Sequence, residues 1–88
     1  MKRVRVVVRG RVQGVGFRVG ILDRARASGV TGFVRNRGDG TVEAAFEGEP
    51  AAVDALVVWC RRGPRGARVD DVAVEAEEPQ LDAAFRLR

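Results

Sequence analysis

The stretch Gly10-Arg11-Val12-Gln13-Gly14-Val15-Gly16-Phe17-Arg18 holds three glycines and two arginines and no acidic residue. Glycines let a backbone take positive φ and come close to a ligand. A loop that runs into a helix start points several N–H groups at one spot, where the helix dipole adds partial positive charge. Arg18 ends the stretch with a planar fork of donors that suits phosphate oxygens. The chemistry these residues predict is the cradling of an oxyanion by loop amides and a guanidinium. A second candidate is Asn36, which stands just before the turn Gly38-Asp39-Gly40. Its amide carries both a donor and an acceptor and is suited to orienting a water. No side chain near either motif is an obvious strong base. A hydrolase built this way needs a substrate that is already reactive, with a good leaving group.

Each residue alone has a plainer reading. Arg18 alone is a solvated surface charge, Asn36 and Asp39 are turn chemistry, and Gly14 and Gly16 are loop glycines. A site requires that the fold bring them together, so the elements around them matter.

Residues 3–9 alternate, with Val4, Val6 and Val8 on one face and Arg3, Arg5 and Arg9 on the other. Period two predicts a strand with one buried face. Phe17, Ile21, Leu22 and Ala25 then repeat at helical spacing from Phe17 to Ser28, and Gly29 is placed to end that helix. Gly20 inside it costs up to about 1 kcal/mol relative to Ala, which predicts a soft first turn. Residues 30–37 read as a second strand and 41–47 as a third, with Val42, Ala44 and Phe46 inward; the short Gly-rich connection makes them a hairpin. Pro50 suits the first position of a second helix. Its stripe is Val53, Leu56, Val57 and Cys60, and Gly63-Pro64 stops it. Val69 to Glu77 alternates again, with Val72, Val74 and Ala76 inward, and Phe85 and Leu87 suggest a last short strand.

Strand, helix, strand, strand, helix, strand, with right-handed crossovers, places both helices on one face of an antiparallel sheet. The expected class is α+β, a ferredoxin-like βαββαβ sandwich with a short extra C-terminal strand. Residues 1–88 read as a single domain. In this topology the second strand is an outer one and runs parallel to the first. Their C-terminal ends share one edge of the sheet, so Arg18 and Asn36 face one pocket from different segments.

Composition narrows the class of function. Residues 1–37 hold ten Lys/Arg and one acid, giving +9, while residues 38–88 hold six Arg and eleven acids, giving −5. The basic half carries the glycine loop, so an anionic ligand is the natural inference. No apolar run is long enough to span a membrane, and the Met-Lys-Arg-Val-Arg start has no apolar signal region. A cytoplasmic location is the expectation. Cys60 is the one cysteine and histidine is absent, so neither an internal disulfide nor a transition-metal site is expected.

Four other motifs fail. No Gly-Lys-Ser/Thr follows the loop, so it is not a Walker A motif. The glycines Gly14, Gly16 and Gly20 miss the dinucleotide spacing by one residue, and the chain is short for a doubly wound domain. The sixth residue after Cys60 is Gly66, where a cysteine-phosphatase loop has Arg, and Cys60 lies on the buried stripe. Gly32-Phe33-Val34 weakly echoes an RNA-recognition motif without the several exposed aromatics that stack bases, so nucleic acid is not an expected partner.

The first motif, followed by Gly32-Phe33-Val34-Arg35-Asn36-Arg37-Gly38-Asp39-Gly40-Thr41-Val42-Glu43, resembles the acylphosphatase family. Glu47-Gly48, Gly63-Pro64 and the closing Phe85-Arg86-Leu87-Arg88 fit as well, so the resemblance covers nearly the whole chain. It implies a small cytosolic enzyme (EC 3.6.1.7) that hydrolyses acyl phosphates to carboxylate and inorganic phosphate without metal or other cofactor. It implies that Arg18 binds the phosphoryl group with the loop amides of Gly14, Val15, Gly16 and Phe17, and that Asn36 positions the attacking water. Arg18 and Asn36 are then the catalytic residues, and inorganic phosphate is both product and inhibitor. A monomer is expected. Two other classes compete: an RNA- or anion-binding module of the same fold, and a phosphoryl-binding domain that serves a larger carbamoyl-transferring assembly.

Overall fold

Alternation in the first segment produces β1 (Lys2–Arg11), with Val4, Val6 and Val8 buried on one face. The protein, seen as a computed structural model, is described over every residue from Met1 to Arg88. After β1 come α1 (Phe17–Ala27), β2 (Thr31–Asn36), β3 (Val42–Gly48), α2 (Pro50–Arg62), β4 (Arg68–Ala76) and β5 (Phe85–Leu87). The strands lie in the order β4-β1-β3-β2-β5. The first four pair antiparallel, as the sandwich requires. The fifth departs from the expected antiparallel sheet: β5 pairs parallel with β2, so the sheet is mixed and β2 is not its edge. The reason lies in the connection, because residues 77–84 cross the open face of the sheet from β4 and reach β2 running in its own direction.

The helix side of the sheet is the apolar core. Phe17, Ile21 and Ala25 of α1 and Val53, Leu56 and Cys60 of α2 bury against Val4, Val6, Val8, Val34, Val42, Ala44 and Phe46. Phe85 stacks on Phe46 with ring centroids 6.0 Å apart. Each such large side chain, fully buried, contributes about 1.5–3 kcal/mol. The inward set on β4 is only partly covered. Val72, Val74 and Ala76 share the face of Val8, Val6 and Val4, but Val72 is half-buried and the other two are exposed. An edge strand has a neighbour on one side only, and α2 does not reach past it.

The opposite face, expected to be solvated, is closed at one end by charge. Arg3 is 5% and Glu47 1% exposed. Arg3 bonds the carboxylates of Glu47 (3.2 Å), Glu77 (3.0 Å) and Asp82 (3.1 Å). Glu47 also accepts from the N–H groups of Gln80 at 2.7 Å and Leu81 at 3.1 Å, which anchors the crossing segment 77–84 as a strap. Arg5 joins Glu77 to Glu43, and Arg35 pairs with Glu43 from the other side.

The Gln80 N–H, then Arg3 and the Leu81 N–H, hold the Glu47 carboxyl below its ordinary value of 4.5, although burial opposes them. A depressed folded-state pKa stabilises the protein fully above that ordinary value, and the contribution disappears as pH falls through the depressed one. Glu47→Gln should therefore cost about 1.5–3 kcal/mol at neutral pH, the scale of hydrogen bonds to a charged group, because Arg3 keeps the carboxylates of Glu77 and Asp82. It should also flatten the acid limb of the stability–pH curve below pH 4.5. The limb persists in part, because Arg partners outweigh burial and lower Glu43 and Glu77 as well. Denaturant titrations of both proteins across that range check this, and an unchanged acid slope in the variant contradicts it.

Candidate active site

The end of β1 lies against a bulge in β4 before the glycine loop begins. Between Arg9 and Gly10 the pairing partner moves from Asp71 to Val69, which leaves Asp70 as the extra residue of β4; a bulge bends the strand that carries it, here β4, against the end of β1. Gly10 permits it: a Cβ there would run into the Arg68 carbonyl oxygen and lie 2.9 Å from the Asp70 nitrogen. The loop then turns through Gly14 (φ 74°) and Gly16 (φ 82°), conformations an L side chain resists, and Gly16 caps α1. No side chain caps that helix and its first turn contains no acid. Its first N–H groups are left for an external acceptor, and those of Gly14, Val15 and Gly16 have no acceptor in the chain.

Asn36 arrives from the sheet. It pairs with Val42, which pairs with Val8, which pairs with Val72. Residues paired across strands share a face, so Asn36 is the polar end of an apolar row that points toward the helices. It lines one depression with Val12, Gly14, Gly16, Phe17, Arg18 and Val19, of about 100 Å³. That is well below the roughly 300–1,000 Å³ of sites for drug-sized ligands and suits a small oxyanion. A larger depression of about 330 Å³ runs along Phe33, Asp82, Arg86 and Arg88, away from the loop.

Four of the five loop residues singled out from sequence, together with Asn36, therefore meet at one place. Val15 does not line it: its side chain packs against the core. Arg18 and Asn36 are half-buried, and neither side chain takes part in an ion pair or hydrogen bond of the chain. Arg3, Arg5, Arg35 and Arg68, by contrast, are each held by carboxylates. The guanidinium beside the loop amides has no such partner.

The charges nearby favour an anion. Asp39 is committed to its own turn, where the Thr41 hydroxyl (2.6 Å) and amide (3.0 Å) bond its Oδ1 and lower its pKa, with Arg37 and Arg9 adding to the effect. No acid lines the depression. Burial pushes the Cys60 thiol up to about 12, which excludes it as a thiolate nucleophile. No group of three or more His, Cys, Asp or Glu side chains is placed to hold a metal ion.

Two supporting residues were not visible in the sequence pattern. The Gln13 amide bonds the carbonyls of Arg37 (2.7 Å) and Thr41 (3.0 Å), tying the loop to the β2–β3 hairpin. Trp59 of α2 meets Phe17 edge-on at 5.4 Å, and Arg24 lies over its ring at 4.4 Å. The Trp59 ring also occupies the space beside Gly20, where a Cβ would approach Cη2 to 2.6 Å. The glycine expected to soften the first turn of α1 is therefore what lets an aromatic ring pack against it.

A sequence model of the acylphosphatase family matches residues 4–87. The chain belongs to the acylphosphatase family. It is 58% identical over 87 residues to an acylphosphatase of Anaeromyxobacter dehalogenans, covering 98% of this chain and 94% of that one. An acylphosphatase of Rubrobacter xylanophilus is 63% identical over 83 residues, 94% of this chain and 74% of the other. The crystal structure of acylphosphatase from Bacillus subtilis superposes with a TM-score of 0.95 at 34% identity, covering 100% of this chain and 99% of that chain. The activity is that of the family, hydrolysis of acyl phosphates (EC 3.6.1.7), and the ferredoxin-like sandwich is its fold. No helix is long and apolar enough to cross a membrane.

Proposed function

We propose that Arg18 and the amides of the Gly14–Phe17 loop hold the phosphoryl group while Asn36 aligns the attacking water, with no metal taking part. The observation that carries this reading is the convergence of an unpartnered guanidinium, unpartnered loop amides and an unpartnered amide side chain on one small depression. The water oxygen attacks phosphorus opposite the carboxylate. The bond from phosphorus to the acyl oxygen breaks, and the acyl group leaves with its electron pair as a carboxylate. The water's proton passes to a phosphoryl oxygen, since no protein base lines the site. Charge that builds on the phosphoryl oxygens meets donors already in place, the form of stabilisation that needs no reorganisation during the reaction.

The partner we infer is a small acyl phosphate rather than nucleic acid. Phe33, the aromatic of β2, is 8% exposed beneath Arg5 and Arg88 and offers little ring face for a base. We infer one catalytic domain over residues 1–88, acting as a cytoplasmic monomer. Asp70, Asp71 and Glu75 along the β4 edge discourage strand pairing between copies.

The test is hydrolysis of an aromatic acyl phosphate with and without chelator. Turnover should be unchanged by chelator, and inorganic phosphate should inhibit competitively because it fills the same loop. Activity lost with chelator and restored by a divalent cation would overturn the metal-free mechanism.

A further inference from the structure

Gln13 immediately precedes the glycine loop, and Arg37 immediately follows Asn36. The side-chain amide of Gln13 has two N–H donors, and both are used: one on the Arg37 carbonyl at 2.7 Å, one on the Thr41 carbonyl at 3.0 Å. These are the two carbonyls at the mouth of the β2–β3 hairpin. Arg37 donates its own N–H to the Thr41 carbonyl at 2.9 Å, and Gly40 donates to the Arg37 carbonyl at 3.2 Å. The hairpin is thus closed on itself and braced by Asp39 on Thr41. Gln13 fastens the loop to that closed unit at a point one residue from each half of the site.

We propose that Gln13 is a positioning residue for acyl phosphate hydrolysis, setting the distance between the phosphate loop and Asn36. This rests on the reading that Asn36 aligns the water. The loop alone fixes phosphorus, and the hairpin alone fixes Asn36. No side-chain hydrogen bond other than those of Gln13 joins the two segments. Without it, each half keeps its shape and the gap between them varies. Phosphate binding, which needs only the loop and Arg18, is then preserved, while in-line attack is not. A misplacement of about 1 Å costs on the order of 10²-fold in rate.

The test compares Gln13→Met, which keeps the length of the side chain and removes its donors, with Gln13→Ala, each alone and combined with Asn36→Ala. The readouts are kcat, KM and the phosphate inhibition constant, with thermal unfolding as the control for folding. The expected result is a fall in kcat of about 10–100-fold with phosphate inhibition nearly unchanged. The combined variants should be scarcely slower than Asn36→Ala alone, because groups acting as one unit are not additive. Fully additive losses, or phosphate inhibition weakened as much as kcat, would show a general structural role and overturn the proposal. If Asn36→Ala is inactive and Gln13→Met is fully active, the inference alone fails. If Asn36→Ala is itself fully active, the reading beneath it fails too.

Discussion

Arg18→Ala will lower turnover by about 10³-fold or more, the scale on which an arginine acts on a transferring phosphoryl group, and will weaken inhibition by inorganic phosphate in parallel. The effect is electrostatic. Arg18 is the only charged side chain lining the depression, and no carboxylate of the chain competes for it. Its loss leaves the loop amides to bear the phosphoryl charge alone, in the ground state and the transition state alike. Arg18→Lys should restore little, because a point charge does not reproduce the planar fork. The side chain is half-buried and outside the core, so circular dichroism and thermal unfolding should match the parent. Residual activity that phosphate inhibits at the parent concentration would remove Arg18 from the binding role.

Asn36→Ala should separate binding from turnover. The loop and Arg18 are intact, so phosphate should inhibit at about the parent concentration. Turnover should fall by about 10²–10³-fold, the usual result of deleting one well-placed polar group in an active site. The variant should fold, since Asn36 makes no side-chain bond within the chain and ends its strand next to the hairpin. Activity within a few-fold of the parent would refute the water-aligning role.

Periodicity carried most of the fold. Alternation over residues 3–9 and the stripe Val53, Leu56, Cys60 each report one buried face, and the element order then leaves few topologies. The meeting of Arg18 and Asn36 followed from topology alone, because β1 and β2 both flank β3 antiparallel and so end on the same edge. The features that stayed hidden have no period. Gln13 acts through two carbonyls, and a residue that bonds backbone leaves no partner type to search for. Gly20 and Trp59 stand 39 positions apart and fit only as shapes. The direction of β5 depended on a strap whose anchor is a glutamate hidden inside a strand that otherwise reads as half-exposed. Arg3 and Glu47 occupy positions that alternation assigns to solvent, and only the tertiary crossing takes them out of it.

The strap and the phosphate loop sit at opposite ends of β1. Arg3 lies beneath the strap and Arg11 opens the loop, eight residues apart and so roughly 26 Å along an extended strand, against a longest molecular dimension of 31 Å. Enzymes commonly trade stability for activity because the groups that do chemistry are themselves poorly satisfied. Here the unsatisfied groups and the tightly satisfied ones are segregated along one strand. For an engineer, that makes the far end of the sheet the place to harden the molecule. Substitutions that tighten residues 77–84 against Glu47 should raise heat resistance and leave the catalytic rate alone.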